Sequence, residues 1–269
     1  MNQATIDHAR ARSFLFVPAN RPDRFEKALA SGADRVILDL EDAVDPADKI
    51  LAREHVVRFL SHYMPVLVRI NAAGTEWYDD DLSALRRAGA NALVIPKVAS
   101  ATGLETIQAR LGGDAVLFPL IETADGMSSL REIAAVRGVS RLMFGSIDFC
   151  LDMGLNETIA ELQPYRSMIA LASRVAGLST PVDGVSIDIS NAEGLRRSID
   201  LAKATGFSAK LCIHPSQVAA VNERFSPSAA EIAFAHEVIG ASAVQIGAFR
   251  LNGRMIDEPI VQWARKLLA

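Results

Sequence analysis

The sequence predicts one α/β domain, a (β/α)8 TIM barrel, with a C-terminal helical extension. Eight apolar runs alternate with amphipathic, helix-length segments. The runs are almost continuously apolar, as expected of strands buried on both faces. Each run ends in polar or ionisable residues, and the carboxyl ends of barrel strands are where such enzymes place their chemistry. An open dinucleotide-binding sheet loses its main support, because no Gly-x-Gly-x-x-Gly follows the first run.

The elements follow in order. Strands are expected at Ser13–Pro18, Arg35–Leu40, Val66–Ile70, Ala92–Pro96, Ala115–Ile121, Leu142–Ile147, Val182–Ile187 and Ala209–Ile213. Pro22 and Pro46 open the first two helices, since proline suits a first helical turn. Gly32, Gly89, Gly112 and Gly206 close helices. A helix spans about Pro164 to Gly177, and the stretch Cys150–Gln163 before it reads as a long connection, a candidate lid. The barrel is expected over 1–225. Residues 226–269 form an extension with an Ala-rich helix, a tight turn at Asn252-Gly253 and a further helix start at Asp257 to Pro259.

Composition narrows the function. With 269 residues, 50% hydrophobic and 22% charged, the chain can bury a large core. A net charge of -4 gives no general attraction to nucleic acid or to an anionic membrane. No apolar run approaches the ~18 residues of a membrane span. The polar N-terminus lacks the apolar core of a secretory signal, and two cysteines, Cys150 and Cys212, suit a reducing cytoplasm.

The most informative stretch is 118–149. Two strands joined by one crossover helix run parallel, so Glu122 and Asp148 should emerge side by side on one rim. Adjacent carboxylates there repel unless a cation lies between them, which points to a hard divalent metal; the alternative is that both cap the helices that follow. Magnesium accepts one or two carboxylates and leaves positions for substrate oxygens, as when chelating a 2-hydroxy or 2-oxo acid. Arg69, at the end of strand three, is suited to a bidentate clamp on a substrate carboxylate, or else to an interior salt bridge. Amides near Gly145 and Ser146 offer further donors, and Glu41 and Asp42 can orient metal-bound water.

The segments VPANRPDRFEKALASGADRVILDLEDAVDPADKILAR (17–53), VRIN (68–71), IPKV (95–98), LIETADG (120–126), FGSIDFCLDMG (144–154), CIHPSQV (212–218) and GRMIDEP (253–259) together resemble the citrate lyase β-subunit-like branch of the HpcH/HpaI aldolase superfamily. The resemblance runs from about residue 13 to the end. It implies a (β/α)8 barrel that uses Mg2+ to make or break a carbon–carbon bond in an acyl-CoA or acyl-carrier-protein thioester. It implies Glu122 and Asp148 as metal ligands and Arg69 as the residue holding the 2-oxo acid carboxylate. Arg21, Lys27, Lys49 and Arg53 fall in stretches near the thioester carrier. Asp257 matches an acid/base supplied by a neighbouring subunit, which implies a homo-oligomer, a trimer or hexamer. The family often has an acidic residue just before the second metal ligand; here it is Ile147, a departure that bears on substrate identity.

The expectation is a Mg2+-dependent lyase that splits citramalyl-CoA, malyl-CoA or citryl-CoA into acetyl-CoA and a 2-oxo acid, with pyruvate the first choice. A citrate lyase β subunit acting on a carrier-protein thioester, an aldolase on free 2-oxo acids and a catalytically silent carrier-binding scaffold are the alternatives.

Overall fold

In the computed structural model the described residues are 8–62, 66–156, 159–245 and 247–268. Parallel strands β1 (Ser13–Pro18), β2 (Arg35–Asp39), β3 (Leu67–Arg69), β4 (Ala92–Ile95), β5 (Val116–Ile121), β6 (Met143–Phe144), β7 (Val182–Asp183) and β8 (Ala209–Cys212) close into a barrel in sequence order, β8 pairing back onto β1. The helices are α1 (Phe25–Leu29), α2 (Lys49–Leu60), α3 (Tyr78–Arg87), α4 (Ala101–Leu111), α5 (Ala124–Ser128), α6 (Leu130–Ala134), α7 (Ser146–Met153), α8 (Ile159–Val175), α9 (Ala192–Ala204) and α10 (Pro215–Phe225). The expected (β/α)8 barrel is therefore the fold.

Strand side chains alternate between two cores. Phe14, Ile37, Leu67, Val94, Phe118, Met143, Val182 and Leu211 plug the barrel interior. Leu15, Val36, Leu38, Val68, Leu93 and Leu117 point outward and pack under the helices. The floor is closed by Arg141, fully buried just before β6. Its guanidinium donates to the carbonyls of Thr180 (2.6 Å), Ala11 (2.6 Å) and His8 (3.2 Å) and to Ser208 Oγ (2.9 Å). One side chain thus ties the segment before β1 to the segments that lead into β7 and β8.

Several boundaries differ from the sequence reading. The run expected as strand to Ile147 stops at Phe144, and α7 begins at Ser146. A short apolar run fits a strand or a buried helix equally well, and Gly145 is the switch between them. Asp148 therefore sits in the first turn of α7, not at a strand end. The crossover after β5 is two short helices broken at Ser129. The expected lid is largely helical, because α7 runs to Met153 and α8 starts at Ile159, five residues before Pro164; residues 157 and 158 lie outside the described ones. The run expected as strand to Ile187 stops at Asp183, and Asp188, beyond it, accepts on its carboxylate from Ser190 N–H and Oγ–H.

The chain divides into two compact units between Phe225 and Ser226. The second contains α11 (Ala229–Ser242), opened by a capping box between Ser228 and Glu231, and α12 (Glu258–Leu268). Between them lies a hairpin, β9 (Phe249–Leu251) and β10 (Arg254–Ile256), so the extension is not purely helical. Asn252 (φ 50°) and Gly253 (φ 78°) make its turn in the left-handed region that such two-residue loops require. Ala235, Val238, Ile256, Val261 and Ala264 form this unit's core. Among the described residues, no helix is long and apolar enough to cross a membrane.

Replacing Arg141 by Met strands several buried carbonyls. The expected outcome is a loss of about 3 kcal/mol or more in unfolding free energy, read by urea denaturation; a loss below about 1 kcal/mol would show that the floor does not depend on this side chain.

Candidate active site

The period of two that places Ile37, Leu67, Phe118 and Met143 inside the barrel also places Asp39, Arg69, Glu122 and Gly145 there, one layer or two nearer the carboxyl rim. These residues line a cavity of about 350 Å³ at the barrel mouth, together with Asp42, Ser146 and Asp148. The structure thus brings the expected Glu122, Asp148, Arg69, Asp42, Gly145 and Ser146 onto one cavity.

Glu122 is held with little freedom. Its Oε1 accepts the Lys97 backbone N–H at 2.6 Å. Lys97 stands at φ 50°, a left-handed conformation costly for a residue with a side chain, so the turn after β4 is shaped to deliver that N–H. The same turn is pressed by α5, where a Cβ on Gly126 would lie 2.3 Å from the Val98 carbonyl oxygen. On its other side Glu122 lies flat on Gly145, where a Cβ would meet Oε2 at 2.3 Å. Glycine at 145 is thus a steric requirement. The Gly145 N–H donates to the Ile121 carbonyl (3.0 Å), so it is not the ligand donor the sequence suggested. The first-turn amides of α7 are the ones that helix geometry leaves without an intrahelical partner. Helix capping does not account for Glu122, because Thr123 caps α5, its Oγ1 accepting from Gly126 N–H at 3.1 Å.

Arg69 does not offer its fork to a ligand. Nε and Nη2 donate to Asp39 Oδ1 (2.7 Å) and Oδ2 (2.6 Å), a buried bidentate pair. The expected bidentate clamp on substrate is corrected to this interior pair. Nη1 remains toward the cavity, 3.0 Å from Glu41 Oε2 and 3.5 Å from Asp42 Oδ2. Asp39 was missed in the sequence because it lies within the apolar run RVILDL. Burial opposes the Arg69 charge, but Asp39, Glu41 and Asp42 reverse this and raise its pKa.

Lys49 and Arg53 are also corrected. Lys49 is buried, and its Nζ donates at 2.7 Å to the Leu40 and Glu41 carbonyls and to Asn71 Oδ1. Asn71 in turn donates to the buried Asp81, which accepts from Arg53 Nε at 2.7 Å. Helix α2 turns this face inward, so these cations brace the tips of β2 and β3 and do not face a carrier.

Negative charge exceeds positive charge at the mouth. Asp39, Glu41, Asp42, Glu122 and Asp148 face Arg69 and Lys97. Burial, with Glu41 adding to it, pushes the Glu122 carboxyl up to about 8. Burial pushes Glu41 up to about 7 against the pull of Arg69, with Asp42 adding to the rise. Neither Glu41 oxygen has a hydrogen-bond partner among the described residues, although Arg69 Nη1 lies 3.0 Å and Lys97 Nζ 3.6 Å away. Buried carboxylate oxygens without hydrogen-bond donors and raised carboxyl pKa values mark a place that suits a cation. The donor set is all oxygen, which suits Mg2+. No group of three or more His, Cys, Asp and Glu with metal-holding geometry occurs among the described residues.

A second cavity, of about 540 Å³, adjoins the first through Phe16, Pro18 and Ile213. Its wall carries the expected Arg21 and Lys27, joined by Arg24 and His214. Arg21 pairs with Asp23 (3.0 Å) in solvent. Asp257 belongs to the C-terminal unit, where its carbonyl accepts from Ile260 and Val261 N–H (both 3.1 Å) and opens α12.

Gly145→Ala is expected to displace Glu122 and weaken Mg2+ binding at least tenfold in calorimetry, with the far-UV spectrum unchanged. A carboxyl with a raised folded-state pKa binds more protons folded than unfolded, so its stabilisation is full below its ordinary value of 4.5 and is lost as pH rises toward about 8. The melting temperature of the metal-free protein should therefore fall between pH 5 and pH 8, and saturating Mg2+ should flatten that slope. A slope of opposite sign would refute the charge excess.

Comparison with known proteins agrees with this geometry. The family model for HpcH/HpaI aldolase/citrate lyase matches residues 12–215. A citrate lyase subunit beta-like protein of Mycobacterium tuberculosis is 36% identical over 267 residues, covering 97% of this chain and 95% of the relative. A (3S)-malyl-CoA thioesterase of Cereibacter sphaeroides is 36% identical over 269 residues, covering 96% and 93%. The crystal structure of CitE from Mycobacterium tuberculosis in complex with magnesium, acetoacetate and coenzyme A superposes with a TM-score of 0.84 at 35% identity, covering 97% of this chain and 98% of that one. With a matched barrel, a rim of paired carboxylates and relatives spanning nearly its whole length, the chain belongs to the HpcH/HpaI aldolase/citrate lyase family of enzymes.

Proposed function

We propose that the protein is a Mg2+-dependent lyase that cleaves a 3-hydroxy-3-carboxy acyl-CoA, such as citramalyl-CoA, malyl-CoA or citryl-CoA, into acetyl-CoA and a 2-oxo acid. The observation that carries this reading is the excess of buried carboxylate around Glu122 beside a single outward-facing Arg69 nitrogen. That is a site for a cation and an anionic, oxygen-rich substrate. The magnesium, acetoacetate and coenzyme A held by the CitE relative support the same pairing.

Glu122 and Asp148 would hold the ion, which supplies Lewis-acid stabilisation of charge on the substrate's 3-oxygen and carboxylate. Arg69 Nη1 would donate to that carboxylate, its guanidinium fixed by Asp39 and lying 4.7 Å from the Phe16 ring. The α7 first-turn amides at Ser146 add donors to the same anion. Glu41 and Asp42 would order water beside the ion. As the hydroxyl passes its proton to the water ordered by Glu41 and Asp42, the bond between the 2- and 3-carbons breaks. Its electron pair moves to the thioester carbon fragment, which Asp257 of a second subunit would protonate to give acetyl-CoA. The C-terminal unit would pack on that neighbour in a trimer or hexamer. The cavity with Arg21 and Lys27 would take the negatively charged part of CoA. Cys150 and Cys212, both buried, accord with a cytoplasmic setting.

A second reading has a specific observation behind it: a relative of equal identity is named a malyl-CoA thioesterase. The deciding assay follows products from the three CoA thioesters with Mg2+ or EDTA. Acetyl-CoA plus a 2-oxo acid supports the lyase; free CoA with an intact hydroxy acid overturns it in favour of hydrolysis. Glu122→Gln and Asp148→Asn should each lower turnover about a hundredfold or more and weaken Mg2+ binding. Asp257→Asn should lower kcat about a hundredfold with Mg2+ affinity unchanged. Parallel loss of both would indicate misfolding, and a fully active monomer would refute the shared site.

A further inference from the structure

Beside the barrel mouth, on the far side of Ser146, a separate cavity of about 300 Å³ lies between α8 and the start of α9. Its back wall is Arg166, only 5% exposed. Arg166 Nε donates to Asp183 Oδ1 at 2.8 Å, and its guanidinium carbon lies 5.7 Å from the Phe144 ring centroid. Its Nη1 is buried with no hydrogen-bond partner among the described residues. Leaving such a group unpaired costs about 1–3 kcal/mol, a cost that an acceptor placed against it would relieve.

Charge points to what that is. Asp183 also accepts from Lys210 Nζ at 2.8 Å, and Lys210 donates to Ser198 Oγ at 2.9 Å. All three ionic groups are buried, and two cations share one carboxylate. The cluster holds one positive charge more than its own partners neutralise. The opposite wall is the N-terminus of α9, thirteen residues long, whose dipole also favours an anion. Asn191 caps it, Oδ1 accepting from Gly194 N–H at 2.8 Å. The acidic group on the cavity, Asp188, is exposed at the mouth and folded onto Ser190.

We propose that this pocket binds a small oxyanion, a carboxylate or a phosphate group, on Arg166 Nη1 and the first turn of α9. It is distinct from the barrel-mouth cavity and takes no part in the reaction proposed above. The source is either a short dicarboxylic acid or inorganic phosphate.

The test is calorimetry of the full-length, metal-free protein with inorganic phosphate and, separately, with succinate, both at constant ionic strength. Two variants accompany it. Asn191→Asp keeps the cap, because aspartate accepts the same N–H, but places a negative charge on the wall. Arg166→Gln removes the excess charge and leaves Asp183 paired with Lys210. Saturable binding of one probe, weakened at least tenfold in both variants with melting temperatures unchanged in Asn191→Asp, is expected; which probe binds names the source. Absence of binding of either probe overturns the proposal. So does binding that neither variant weakens, which would place the anion on Arg21 and Lys27 instead.

Discussion

The barrel mouth gathers more negative charge than it can neutralise, and the surrounding structure is built to hold that imbalance. Asp39, Glu41, Asp42, Glu122 and Asp148 converge where Arg69 and Lys97 supply the positive charge. Left to itself, such a cluster would spread into solvent or protonate, and Glu41 and Glu122 do show raised carboxyl pKa values. What prevents their spreading is covalent and steric. Glu122 is trapped between a left-handed turn at Lys97 and the bare Cα of Gly145. The electrostatic cost is carried in the folded state and is relieved when a cation enters, which is how a binding site differs from an ordinary surface cluster.

The supports of this arrangement lie outside the cavity. Asp39 holds the Arg69 fork, so the guanidinium keeps its position without a ligand. The chain of contacts from Arg53 through Asp81 and Asn71 to Lys49 fastens the tips of β2 and β3. Lys49 ends that chain on the carbonyls of Leu40 and Glu41, directly under the acidic loop. Preorganisation of this kind means that little rearrangement is required when an anionic substrate arrives.

Much of this was legible in the sequence. Apolar runs ending in Glu122 and Arg69 gave the barrel and its rim together, because a buried strand and a polar terminus leave simple patterns. Asp39 was hidden by the same logic: one acid inside RVILDL reads as strand until the inward register is known. Asp148 reads from the sequence as a strand end and lies instead in the first turn of α7, since LMFGSIDF suits either period and the switch at Gly145 shows only in the structure. Lys49 and Arg53 fall in a stretch whose resemblance points to the thioester carrier, and the burial of Lys49 and the pairing of Arg53 with Asp81 on the inner face of α2 reassign them. The excess charge at Arg166 left no local signature, because its three members come from α8, β7 and β8.

Arg141 has a consequence for how the molecule tolerates alteration at its ends. Its guanidinium is solvated by backbone carbonyls much as it would be by water, and two of these, from His8 and Ala11, precede the first strand. The residues ahead of β1 are thereby structural lining of the barrel floor, joined to a strand more than half the barrel away in sequence. A trimmed version starting at β1, which looks harmless from the strand boundaries alone, removes the lining and opens the bottom of the core to water.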